Sequence, residues 1–211
     1  MKYLTMSLVS VAISALQIAI PAPADAEIHG GVMAGGSLSW LDPPGVLMST
    51  ERYADITEGA FLSMSIGSRI TIQPSVVLSR RGGTYPRMSS YPSGEDAEFR
   101  GADYRIDYYE FPLLVRYCIV QGSCVRPELI VGPAWCSIRK SRVESPTYRS
   151  GEWARGYDTA LFIGFGVSAW AGEALFGIDV LYRAPMTSPS DNLLFPEAAV
   201  EGVSVLMRVG I

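Results

Sequence analysis

The chain has no concentrated positive charge: 17 Lys and Arg stand against 21 Asp and Glu over 211 residues, for a formal net charge of −4. A nucleic-acid partner, which needs a basic footprint, is excluded on that ground. Beyond residue 26 no uninterrupted apolar stretch reaches the length of a membrane-spanning helix, so helical insertion is excluded as well. Histidine and cysteine are scarce, with one and three residues scattered along the chain, and they supply no convergent ligand set for a metal. No cofactor is expected. Disorder is excluded from the other side, because 48% of the residues are hydrophobic and only 18% are charged.

The first 26 residues have the form of an export signal. Lys2 precedes a largely apolar run to Ile20, Pro21 and Pro23 follow, and Ala24-Asp25-Ala26 offers small residues at the positions a signal peptidase reads. We place the cut after Ala26, leaving 27–211 as a single domain. No cysteine in this leader offers a handle for lipid attachment. An exported chain without a spanning helix is either a soluble domain or a closed transmembrane barrel, the two forms that leave no backbone amide stranded.

Eight runs with period-2 character decide between them, expected at 31–41, 60–67, 70–79, 104–119, 124–138, 159–171, 174–183 and 199–211. The gaps alternate. Short ones fall at Ser68-Arg69, at 120–123 and at Gly172-Glu173, whereas those at 42–59, 80–103, 139–158 and 184–198 are long and carry much of the Pro, Ser, Gly and charge. An even strand count with short turns at one end and long loops at the other is the plan of an outer-membrane barrel. Alternation agrees: Val203, Val205, Met207, Val209 and Ile211 oppose Gly202, Ser204, Arg208 and Gly210, and Tyr109, Phe111, Leu113, Val115 and Tyr117 oppose Tyr108, Glu110, Leu114 and Arg116. The expected fold is therefore all-β, an eight-stranded antiparallel up-and-down transmembrane barrel. Pro74, Pro112, Pro127 and Pro133 fall inside expected strands, where each removes a donor, and a bulge at any of them would reverse the inside and outside faces beyond it.

Several segments resemble the PorT-like outer-membrane β-barrel family. They are Tyr108-Tyr109-Glu110-Phe111-Pro112-Leu113-Leu114-Val115-Arg116-Tyr117, Gln73-Pro74 followed by Val77-Leu78-Ser79-Arg80-Arg81-Gly82, Arg126-Pro127-Glu128-Leu129 running into Gly132-Pro133, and the opening 31–39. The resemblance spans the expected mature chain and implies an outer-membrane location and an eight-stranded barrel, usually without an assigned activity. Where such barrels commonly finish on an aromatic residue, this chain reads Arg208-Val209-Gly210-Ile211.

Parity projects Glu110, Glu128 and Asp179 into the lumen together with Arg116, Arg126, Arg183 and Arg208. A lumen of eight strands is filled by side chains or holds one small ligand, so these charges are expected to pair across it as a plug. A small-anion site or narrow pore is the alternative. Cys118 and Cys124 flank a short turn with equal parity and are expected to form a disulfide across it in an oxidising compartment, with Cys136 left as a small buried thiol. Trp40, Tyr104, Tyr108, Tyr109, Trp135, Tyr157 and Tyr182 gather toward the long-loop ends of their strands, as an interfacial aromatic girdle would. The only histidine, His29, starts the first strand at the opposite end from the outer leaflet, so a Ser-His-acid lipid hydrolase lacks its imidazole there. The resulting expectation is a non-enzymatic barrel with a structural or surface-interaction role. Its partners would be outer-membrane lipids, the barrel assembly machinery and a surface or envelope protein. A lipid-modifying enzyme and a soluble lipocalin-like binder are the lesser alternatives.

Overall fold

A computed structural model describes residues 27–42, 51–85, 102–121, 124–144, 156–187 and 199–211. The expected leader, and most of each long loop, lie outside these residues. The described chain forms β1 (Ile28–Asp42), β2 (Glu51–Ile66), β3 (Ile70–Tyr85), β4 (Ala102–Cys118), β5 (Val125–Glu144), β6 (Tyr157–Ala171), β7 (Ala174–Pro185) and β8 (Ala199–Gly210). Each strand pairs antiparallel with its sequence neighbours, and β1 pairs with β8 from Gly31↔Gly210 to Asp42↔Ala199, which closes the barrel. Two of the short turns place a glycine at positive φ, Gly67 and Gly172, both at 65°, where a side chain would be strained.

Alternation sets the faces. Along β4 every even-numbered residue from Tyr104 to Cys118 is buried, and β8 follows the same rule from Val200 to Gly210. The wall is inverted relative to a soluble protein: Leu129, Trp135, Ile163, Phe165, Ile178 and Met207 lie exposed on the outside, while Arg81, Arg116, Arg183, Glu110 and Asp179 are almost wholly buried. The expected strands are all present, but β2, β3 and β5 run further toward the long-loop end than alternation indicated. Their extra residues, among them Glu51, Arg52, Arg80 and Lys140, are charged and exposed, so the ladder continues after the apolar pattern has ended.

The in-strand prolines produce no register shift. Pro74 lies where the β2–β3 ladder steps over two residues, Pro112 where β3–β4 does, and Pro133 where β4–β5 does, and each ladder resumes in the same register. Pro127 sits near the start of β5, where its carbonyl accepts from Ile119 N at 2.9 Å. The irregularities fall elsewhere, between Arg52 and Thr57 on β2 and opposite Asp107/Tyr108 on β5. There Ile138 pairs with Tyr108 and Lys140 with Asp107, so Arg139 is the extra residue and inward parity passes from even to odd at Ser141.

Candidate functional site

Inside the barrel the charges form two tiers. In the tier nearer the short turns, Arg116 of β4 donates through Nε to Gln73 Oε1 at 2.7 Å, through Nη1 to Glu128 Oε2 at 2.6 Å, and through Nη2 to Asp179. Arg208 of β8 places Nε 2.7 Å from Asp179 Oδ2, too oblique for a hydrogen bond, and Nη2 3.4 Å from Glu128 Oε2. Ser168 donates to the other Glu128 oxygen at 3.0 Å. Two cations and two anions thus balance within one tier.

The tier nearer the long loops repeats the balance. Arg81 of β3 grips Glu110 with two parallel bonds, Nε to Oε1 at 2.7 Å and Nη2 to Oε2 at 3.2 Å, the fork geometry that suits a guanidinium to a carboxylate. Arg183 of β7 donates to Asp158 Oδ2 at 2.5 Å and to the Val200 carbonyl, and its guanidinium lies 5.4 Å from the ring centroid of Tyr108. Tyr108 and Thr187 both donate to Asp158. Glu110 and Arg116 are six residues apart on β4, about 20 Å along the strand, and Leu114, with Leu181 of β7, fills the interval with apolar bulk.

Inward glycines make room for the head groups. A Cβ on Gly177 would stand 2.7 Å from Arg208 Nη2, one on Gly202 would stand 3.0 Å from Arg81 Nη1, and one on Gly166 would collide with Asp179 Oδ1. Glycines that look like weak points in β6 to β8 are thus the counter-shape of the charged side chains.

Six of the seven expected lumen charges come together here. Arg126 does not: it has the right parity but lies at the very start of β5, below the plug and exposed at the rim. There it lines an open cavity of about 670 Å³ with Glu27, His29, Trp170, Gly172, Glu173 and Ile211. His29 packs against Trp170 with ring centroids 4.5 Å apart. Arg81 and Asp158 were missed because the Arg-Gly-Gly run and the loop before residue 159 obscured strand ends. Continuing the parity by one more step on β3 and β6 finds both.

Two further expectations are corrected. Cys118 and Cys124 are not bonded: the register sets Cys118 opposite Glu128, so Cys124 precedes β5 and faces solvent while Cys118 points inward, its thiol donating to the Val120 carbonyl at 3.1 Å. Tyr104 and Tyr108 are buried lumen residues with no part in an outer girdle. The outward aromatics are instead joined by Phe111, whose centroid is 6.5 Å from Trp135, which in turn lies 6.1 Å from Tyr157. Cys136 is fully buried, as expected, with Sγ 3.7 Å from Arg183 Nη2.

No protein-family model and no curated protein matches the sequence. Solved structures do match the fold. Neisserial surface protein A aligns at a TM-score of 0.52 and 12% identity over 88% of this chain and 97% of its own. Two structures of Ail, the attachment invasion locus protein of Yersinia pestis, one with the heparin analogue sucrose octasulfate, align at 0.45 with 15% and 16% identity, each over 87% of this chain and 97% of theirs. The chain is a closed, eight-stranded, antiparallel up-and-down β-barrel similar in fold to Neisserial surface protein A.

Proposed function

We propose that the protein is a bacterial outer-membrane barrel, exported with its first 26 residues as leader, inserted by the barrel assembly machinery, and acting without catalysis as a structural or surface-interaction protein. The carrying observation is the inverted wall, with apolar side chains exposed all around the outside and charges neutralised within. A soluble monomer rarely exposes contiguous apolar patches beyond about 300–600 Å², whereas a barrel in lipid requires such a belt. Phe111, Trp135 and Tyr157 then lie at one membrane interface, with the long loops beyond them on the cell surface as the face that meets a surface or envelope partner. Kinship with PorT-like barrels is supported by the sequence motifs alone.

Fractionation tests this reading. The processed chain is expected in the outer-membrane fraction, resisting a salt wash and migrating on a detergent gel at a position that shifts on boiling. Recovery as a folded, monodisperse protein in an aqueous extract would overturn it.

A further inference from the structure

The cavity at the short-turn mouth of the lumen has two walls. On one side Arg126 of β5 pairs with Ser168 of β6, Trp170 follows two residues along the same inward face, and the turn after β6 sets Glu173 at the opening. On the other lie Glu27 and His29 at the start of β1, with Ile211, whose backbone exchanges two 3.0 Å bonds with Gly30.

The floor is aromatic. β1 and β6 are not neighbours in the sheet, so the contact of His29 with Trp170, at 4.5 Å between centroids and 60° between planes, crosses the mouth. Trp170 also packs against the lumen core, two residues from the Ser168 that holds Glu128. The ring pair therefore underlies the tier of Arg116 and Arg208. His29 Nε2 stops 3.8 Å from Glu27 Oε2, outside hydrogen-bond distance, and the Glu27 side chain is 79% exposed, which leaves its carboxylate open to a ligand.

Around about 670 Å³ the lining carries two carboxylates, Glu27 and Glu173, one guanidinium, Arg126, and an indole. That volume is of the size of small-molecule sites. Charges of both signs exclude an apolar ligand, which would desolvate them without replacing their water, and the excess of carboxylates disfavours a simple anion. The matching ligand has one carboxylate and two cationic groups on an apolar stem.

We propose that this mouth binds a dibasic amino acid, with Arg126 receiving its carboxylate, Glu173 its α-ammonium, Glu27 its distal ammonium, and Trp170 supporting the stem between them. A guanidinium fork suits a carboxylate, and the two head groups of an amino acid share one carbon, so their receptors belong on one wall, where Arg126 and Glu173 flank the indole. The distal ammonium, on its four-carbon stem, reaches the opposite wall past a ring face that attracts cations. In the outer-membrane reading this mouth faces the periplasm.

The full chain, purified in mild detergent and checked for its boiling-dependent gel shift, is titrated calorimetrically with three probes: lysine, cadaverine, which lacks the carboxylate, and aminocaproate, which lacks the α-ammonium. Lysine is expected to bind, and each truncated probe to bind about fivefold more weakly, as expected for a charged contact that is partly exposed. Arg126→Ala is expected to weaken lysine by the same factor and leave cadaverine unchanged. Glu173→Gln is expected to weaken lysine and leave aminocaproate unchanged. Both variants are expected to keep the gel shift, since neither residue belongs to the two charge tiers. No heat from lysine at millimolar concentration, equal affinities for the three probes, or variants that weaken all three probes alike overturns the site while leaving the membrane reading standing.

Discussion

Asp179 is the residue on which the tier nearer the short turns turns, because Arg116 and Arg208 both reach it. Replacing it by Ala leaves two buried guanidinium groups sharing the single carboxylate of Glu128. Removing one partner of a buried pair typically costs about 3–5 kcal/mol, since an uncompensated charge remains. Asp179→Ala is therefore expected to lower the free energy of unfolding by that amount in urea titrations of the lipid-embedded barrel, whereas Arg126→Ala is expected to change it by less than about 0.5 kcal/mol. Equal effects would mean that the tier contributes nothing beyond an exposed rim charge. Parity alone placed Glu110, Arg116, Glu128, Asp179, Arg183 and Arg208 correctly, because the inward direction of a side chain is fixed by counting along a strand. It could not exclude Arg126, since counting gives the direction of a side chain but not its depth. The unformed Cys118–Cys124 bond has the same origin: the turn residues share a parity, but their facing depends on a cross-strand register that neither strand states by itself.

At the scale of the strand, the sequence was legible where the outer face is apolar and illegible where it is wet. β8 was found nearly whole because lipid-facing residues alternate with small or polar ones along most of it, and β4 because its alternation persists with the sense reversed at the long-loop end, where the outward residues Asp103, Arg105 and Asp107 are the charged ones and Tyr104, Ile106 and Tyr108 point inward. β2 was recognised only from Ala60, since the exposed charges of Glu51, Arg52 and Glu58 erase the contrast on which period-2 reading depends. The prolines warned of bulges that do not occur, because skipping two ladder positions disposes of the lost donor without adding a residue. Of the two bulges that do occur, the one at Arg139 follows from the residues after it. A straight strand would have buried Lys140 and Arg142, and inserting one unpaired residue is cheaper than burying two cations. Deleting Arg139 should give a regular ladder with Lys140 and Arg142 still outward and Ser141 still inward. The deletion is expected to keep the unfolding free energy within about 1 kcal/mol of wild type and to retain the boiling-dependent gel shift. A barrel that no longer folds would show that the bend itself is required.

For the whole molecule, the two balanced tiers and the apolar interval between them fill the lumen with paired side chains. An ion crossing it would have to displace an arginine from its carboxylate at two successive levels. Planar-bilayer recordings of the reconstituted barrel are accordingly expected to show no steady conductance. Steady, anion-selective steps abolished in Arg116→Ala would instead establish the narrow-pore alternative.

The ion pairs of the tier nearer the long loops draw on β3, β4, β6 and β7 and are complete without β8, which adds only the Val200 carbonyl as a further acceptor for Arg183. The charges of its counterpart come from β4, β5, β7 and β8, and so balance only with Arg208. Without it Glu128 and Asp179 confront Arg116 alone, and the unfinished ribbon carries one surplus negative charge toward its future axis. The incoming final segment brings the matching guanidinium at the moment it must find Gly31 and Ser37 on the first. The strand that seals the ladder against β1 is thus also the one that neutralises this tier, so the seam and the charge balance are completed by the same segment.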